Sequence, residues 1–289
     1  MKKAIVSLTA VFFLFCLSLT LNAQTVLTNA TPPVDAPYVH EHLDKRKPVP
    51  YTHLREADVM WSKRIWRVID LREKINLPLY YPIDEEVKNR QSLWKVIKMG
   101  LESGELTAYD KPVFDDEFQY EMPISQIKAV LNTVDTQITQ NINTGGWDTV
   151  YIPVSVTTDK VKRYWVKEDW FFDKQRSVMD VRIMGISPLI EVIDKNTGDF
   201  RSYKPLFWLY FPQCRPFFAR YEVFNRHNDA ERRTFDDIFE KRQFSSYIYK
   251  EANVYDRQIL EYAGQIDVLL ESDRVKEEIF EVEHDMWHF

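Results

Sequence analysis

Apolar positions along this chain follow two rhythms, a helical one near both ends and a strand-like one in the middle. From Leu54 to Asn76, Trp61, Ile65, Val68 and Ile75 recur at steps of four, three and seven, which predicts one amphipathic helix. Asn76-Leu77-Pro78 stops it, because proline disfavours helical geometry in the residue before it. A second helix is expected from Asn89 to Ser103, with Leu93, Trp94, Ile97 and Leu101 inward and Gly104 at its C-terminal end. A third starts at Ser125, placed as N-cap after Pro123, and buries Ile127, Val130, Leu131 and Val134.

Thr144-Gly145-Gly146 then marks a turn or a boundary, and the pattern changes. Thr149 to Val156, Val161 to Trp170, Ser177 to Ile183, Leu189 to Ile193 and Phe200 to Tyr203 are rich in β-branched and aromatic residues, as strands are. Asp173-Lys174-Gln175-Arg176 and Asn196-Thr197-Gly198 read as turns between them, and such short connections favour antiparallel pairing. The apolar block Leu206 to Phe211 fits an interior strand or a helix equally well.

Helical spacing returns after Asn225. Thr234 to Asp237 makes a capping box ahead of Ile238, Phe239 and Phe244. Tyr255, Ile259, Tyr262, Ile266 and Leu269 follow steps of four, three, four and three, a two-heptad seam that predicts an ordinary amphipathic helix. Lys276 to Phe289 is acidic and expected to be partly mobile. The expected fold is therefore α+β, with a helical part over 51–145, an antiparallel sheet over 146–226, and C-terminal helices with an acidic tail over 227–289.

The N-terminus adds an address. Two lysines, an apolar run from Ala4 to Leu19 and a small exit residue at Ala23 make residues 1–23 a secretory signal peptide rather than a spanning helix. Cys16 lies inside that run, after Phe15, so no lipid-attachment site is expected. Residues 24–50 carry Pro32, Pro33, Pro37, Pro48 and Pro50 and form an extended leader, either a tether or a spacer. Removing residues 1–23 takes away two lysines and no acids, so 38 basic against 44 acidic becomes 36 against 44, net −8. That charge argues against a nucleic-acid groove and an anionic membrane surface, and no direct membrane insertion is expected. Cys214 is then the only cysteine and has no disulfide partner within the chain.

Catalytic chemistry is sparse. Only 7 glycines are present, too few for a glycine-built phosphate cradle. In Gly185-Ile186-Ser187-Pro188 a proline replaces the amide that a nucleophile elbow needs, and Gln213-Cys214-Arg215-Pro216 matches no nucleophile signature, so Cys214 reads as a small buried residue. Asp115-Asp116-Glu117 reads as an acidic loop, and capping accounts for Asp236-Asp237. His284 and His288, spaced i, i+4 beside Glu283 and Asp285, are the one arrangement that suits zinc and a metal-dependent hydrolase, although solvated charge explains them as well. No catalytic residue, cofactor or metal is assigned.

Aromatic surface is what stands out, with 8 Trp, 15 Tyr and 18 Phe. On the predicted first helix Trp66 sits ~140° from Trp61, so a second partner or a two-sided core must cover it. Interfaces concentrate Trp and Arg at their centres, and Trp61, Arg64, Trp66, Arg67 and Trp94 form the candidate protein interface.

Ala57 through Asn76, Pro78, Tyr80-Tyr81-Pro82, Arg90-Gln91-Ser92-Leu93-Trp94, Trp170 through Val178 and Arg182 through Pro188 resemble the GldN/PorN proteins of Bacteroidetes. The resemblance runs over roughly 55–250. It implies a periplasmic, non-enzymatic component of gliding motility and of the type IX secretion system, associated with the outer membrane through a partner. It implies rings built from copies of this chain and a GldK/PorK-type outer-membrane lipoprotein. Those rings would engage the periplasmic part of a GldM/PorM-type inner-membrane motor complex.

Overall fold

The computed structural model describes residues 45–83, 90–110, 117–140, 147–194, 198–225, 228, 230–264 and 266–286, with backbone only over 133–140 and 147–154. Residues 43–289 make one compact unit, and all that follows concerns it. The expected signal peptide and most of the expected proline-rich leader lie outside the described residues, as does the expected turn at Thr144-Gly145-Gly146.

Elements run in the order β1 (Val59–Asp70), α1 (Leu77–Tyr80), α2 (Leu93–Ser103), β2 (Ala108–Tyr109), α3 (Ile124–Leu131), β3 (Asn132–Gln140) and β4 (Trp147–Ser155), then β5 (Val161–Asp173), β6 (Val178–Ile193), β7 (Phe200–Pro205) and β8 (Trp208–Tyr210). The chain finishes with α4 (Phe211–Phe218), α5 (Phe235–Glu240), β9 (Tyr247–Glu251), α6 (Ile259–Tyr262) and α7 (Asp267–Asp285). This is the α+β layout that the patterning predicts. One seven-stranded antiparallel sheet runs β2-β8-β6-β5-β1-β9, with β7 paired to β6, and β3–β4 forms a separate hairpin-like pair.

The largest departure is at the start. Leu54 to Asn76 is not a helix: Val59–Asp70 is an interior strand of the sheet, between β5 and the edge strand β9. The reason is physical. Every residue from Ile65 to Asp70 is buried, so both strand faces are covered and the period-two signal vanishes. A doubly buried strand and a helix both show apolar residues at steps of three and four. The residue types, Val59, Trp61, Ile65, Trp66, Val68 and Ile69, are those of a strand. The sheet thus draws β1 and β2 from the part expected to be helical and β9 from the C-terminal part. Asn76, expected as a helix stop, is a buried clamp: its amide donates to the carbonyls of Asp70 (2.8 Å) and Ser245 (2.9 Å) and accepts from the Ser245 amide (2.9 Å).

Other elements match more closely. Ser92 caps α2 by accepting from the Lys95 amide, and Gly104 ends it at φ 78°, a left-handed value that glycine takes without strain. For α3 the N-cap is Pro123, two residues earlier than Ser125, and Asn132 passes directly into β3, so Val134 lies on a strand. Ser177–Ile183 and Leu189–Ile193 merge into the single long β6, and the Leu206–Phe211 block divides between β8 and the start of α4. The Thr234–Asp237 capping box forms as expected. The two-heptad segment does not form one helix: α6 ends at Tyr262, and α7 begins at Asp267. The acidic tail expected to be mobile is helical through Asp285.

Register sorts the sheet into two faces. Ile69, Tyr164, Val166, Ile186, Leu209 and Ala108 face the main core, where they meet α2, α4 and α5. At the β1–β9 end of this face, α6 and α7 cover Trp61, Ile65, Trp170 and Ile248 with Ile259, Val268, Val275 and Ile279. Among the described residues no helix is long and apolar enough to cross a membrane.

Candidate aromatic and cationic site

The opposite sheet face carries the chemistry. Cross-strand partners on β1 and β5 follow one another as Asp70 with Arg163, Val68 with Trp165, Trp66 with Lys167, and Arg64 with Asp169. Tyr109, Trp208 and Tyr210 continue the row on β2 and β8, and Tyr249 on the β9 side. Trp165 stacks on Tyr249 with ring centroids 4.9 Å apart and lies 6.5 Å from Trp208. Side chains two apart on a strand share a face, so Trp165, Lys167 and Asp169 arrive together.

Lysine lies on both sides of Trp66. Its ring has the Lys250 ammonium 4.6 Å from the centroid and the Lys167 ammonium 5.9 Å away. Lys167 is only 1 % exposed and lies 5.2 Å from the Phe118 ring centroid. The negative ring faces attract the ammonium, each such contact contributing ~0.5–2 kcal/mol, more where water is excluded. Phe118 sits at φ 60°, which costs a bulky residue ~1–3 kcal/mol. Its ring lies over Gly185, where an added Cβ would meet Phe118 Cζ at 2.6 Å. Glycine here allows the close approach.

Arg64, Tyr109, Glu117, Phe118, Lys167 and Tyr210 line most of a cavity of about 480 Å³. At its rim Arg64 holds Asp169 in a fork, Nε to Oδ1 at 2.6 Å and Nη2 to Oδ2 at 2.9 Å. Tyr109 donates to Gln213 Oε1 at 3.4 Å, and burial raises its phenol. Trp208 Nε1 is buried with no acceptor among the described residues. At the far end Asp70 accepts from Arg72 and from Arg163.

The predicted interface residues divide between the two faces. Trp66 is 6 % exposed on the aromatic face, and the Arg64 side chain reaches solvent, 39 % exposed. Trp61 packs on the opposite face under α6 and α7. Arg67 points the same way, donating to Ser246 Oγ at 2.8 Å, and burial lowers its guanidinium pKa. Trp94 belongs to α2 and the main core: its Nε1 donates to the Val156 carbonyl at 3.0 Å, and its ring stacks on Phe207. Sequence reading missed Lys167, Asp169, Tyr109, Phe118, Trp208 and Tyr210. Trp165-x-Lys167-x-Asp169 on a predicted strand was the available signal.

Cys214 is buried, and desolvation pushes its thiol up to about 12. Ser187 is buried on β6 rather than at an elbow. His284 is exposed near the end of α7, 3.9 Å from Asp285, and His288 lies outside the described residues. Among the described residues no three His, Cys, Asp or Glu side chains cluster as metal ligands.

A second polar cluster straps the N-terminal segment down. Arg215, buried, pairs with Asp236 (2.8 Å) and Glu240 (3.2 Å) and lies 4.2 Å from the Tyr51 ring centroid. Burial raises the Tyr51 phenol to about 12. Arg46 reaches Asp237 at 2.7 Å. Asp236 and Asp237, adjacent in sequence, therefore do different work: one neutralises Arg215, the other caps α5.

Compared with known families, residues 54–288 match a family described as gliding motility associated protein GldN. No curated protein matches the chain.

Proposed function

Since the chain belongs to the GldN family of gliding motility associated proteins, we propose that it is a structural subunit of a periplasmic ring in the gliding and type IX secretion machinery. In this reading the exported chain assembles with copies of itself and with a GldK/PorK-type outer-membrane lipoprotein. The ring then engages the periplasmic part of a GldM/PorM-type motor complex. The observation that carries the reading is the family match, which spans the sheet, both of its faces and α7. The aromatic and cationic face supports an assembly role, since rings and arginine at a partly open cavity are what protein interfaces concentrate.

Light scattering on a sizing column tests it, with the mature protein alone and co-expressed with its host's GldK-like lipoprotein. A very large, discrete complex is expected. A monomer under both conditions overturns the reading. Trp66 is buried, so its truncation mixes folding with assembly. Arg64→Ala is the sharper probe: loss of a partly exposed ion pair costs ~0–1 kcal/mol of stability, while the complex should lose mass.

A further inference from the structure

One surface is unaccounted for by the sheet and its core. Along α7, Val268, Ser272, Val275 and Ile279 turn inward, with Ser272 Oγ accepting the Ile248 amide at 2.8 Å. Each residue turns the helix by about 100°, which sets Ile266, Leu269, Leu270, Asp273, Glu277 and Phe280 on the outward arc. Ile266 is 82 % exposed, Leu270 65 %, Phe280 60 % and Leu269 57 %, and Leu260 and Tyr262 of α6 are exposed beside them. Exposed apolar side chains grouped this densely mark interaction sites rather than ordinary surface.

Charge identifies what fits there. Residues 254–289 hold ten carboxylates against Arg257, Arg274 and Lys276, a net −7. The mature chain without residues 1–23 is −8, so its remainder sums to −1. Arg274 is engaged by Glu271 and Glu278 on the same helix, which leaves the outward stripe interleaved with carboxylates. Two such stripes facing each other set −7 against −7, and the rest of a second copy offers no matching positive excess. Like charges brought together at an interface cost several kcal/mol.

We propose that the outward stripe of α6 and α7 docks an apolar segment flanked by lysine or arginine on a different protein, not on a copy of this chain. The inference deepens the assembly reading, on which it rests for the existence of a partner. It gives the molecule a second docking surface, on the other side of the sheet from the aromatic cavity.

The test uses the full mature chain and two synthetic helical peptides of roughly 18 residues. One carries leucine at i, i+3, i+4 spacing with lysine elsewhere, and its twin has glutamate for lysine. The leucine–lysine peptide should bind, weakening at least ~10-fold between ~0.05 and ~0.5 M salt, and the glutamate twin should not. Leu269→Ser with Leu270→Ser should weaken binding at least ~10-fold with the thermal midpoint unchanged. Should that pair lower the midpoint, Asp273→Lys with Glu277→Lys reads the same loss through charge alone. Equal binding of both peptides, or binding that survives both pairs of substitutions, overturns the proposal. So does self-association of the wild-type chain that the serine pair abolishes. The ring reading fails separately, by absence of the large complex with the lipoprotein.

Discussion

The two faces of the sheet are built from the same strands and held by different forces. Toward α2, α4 and α5 the strands present Ile69, Tyr164, Val166, Ile186 and Leu209, and the helices answer with phenylalanines. Phe211, Phe218 and Phe244 surround Phe239 with centroids 5.3–6.4 Å away. The other face alternates rings with full charges: Asp70–Arg163, Lys167 and Lys250 against Trp66, Arg64–Asp169. Apolar burial has no direction and tolerates no water. Ring and charge contacts are directional, and they leave a cavity with a polar rim. The first face therefore supplies stability, and the second supplies a surface that can recognise something.

The largest effect should come from the first face. Phe239→Ala removes a fully buried ring from the centre of its cluster and should cost ~3–5 kcal/mol, seen as a lower urea midpoint with unchanged slope. A cost under ~1 kcal/mol would mean that the helices are not what holds this face. Asp236→Ala follows closely. Among the described residues it leaves the buried Arg215 guanidinium with the half-exposed Glu240 and the Tyr51 ring, and should cost ~3 kcal/mol. Arg215→Met in the same background should recover part of that loss, because it removes the orphaned charge. No recovery would show that the damage lies in packing alone.

These costs bear on what was legible. The helix α2, its Ser92 cap and its Gly104 stop could be read directly, because a helix with one buried stripe announces its period. The β1 strand could not, because a strand buried on both sides loses its alternation and keeps only its residue types. The same blindness split the candidate interface. Arg64 and Trp66 belong to one face of β1 and Trp61 and Arg67 to the other, a separation that a helical projection blurs. Asp236 and Asp237 were both legible as a cap, but only Asp237 is one. The partner of Asp236 lies on another helix, where spacing gives no hint. Lys167 was the hardest to see, since a lysine on a strand is ordinarily solvated, and only the fold shows it enclosed by rings.

A smaller effect sharpens the contrast from the second face. Gly185→Ala drives a methyl to within 2.6 Å of Phe118 Cζ and 3.1 Å of Trp208 Cε3. Phe118 sits on a loop at positive φ and can retreat, so the cost should be ~1–3 kcal/mol rather than a collapse. Tryptophan fluorescence should shift as Trp208 and its neighbours gain water, and mass in the lipoprotein complex should fall. A stability loss with the spectrum and the complex intact would make the Phe118 ring over Gly185 mere packing.

The smallest effect isolates the charged end of that face. Burial alone raises the Asp70 carboxyl, but hydrogen bonds from the Arg72 side chain and amide, with the charge of Arg163, outweigh it and hold the group at about 2. A carboxylate held below its unfolded value of ~3.9 stabilises the fold at every pH above that value. The stabilisation then drains away as pH falls from ~4 through about 2, where the folded carboxyl takes up its proton. Part of the pair is open to solvent through Arg72, which limits the effect to the order of 1 kcal/mol. Urea midpoints of wild type and Asp70→Asn should differ by that amount at pH 6 and converge near pH 2. On the helix-covered face Phe239→Ala should show no such convergence, since no proton enters its contacts. If the Asp70→Asn difference stayed constant across the whole range, the end of β1 would be held by shape, and the two faces would be less different than their side chains suggest.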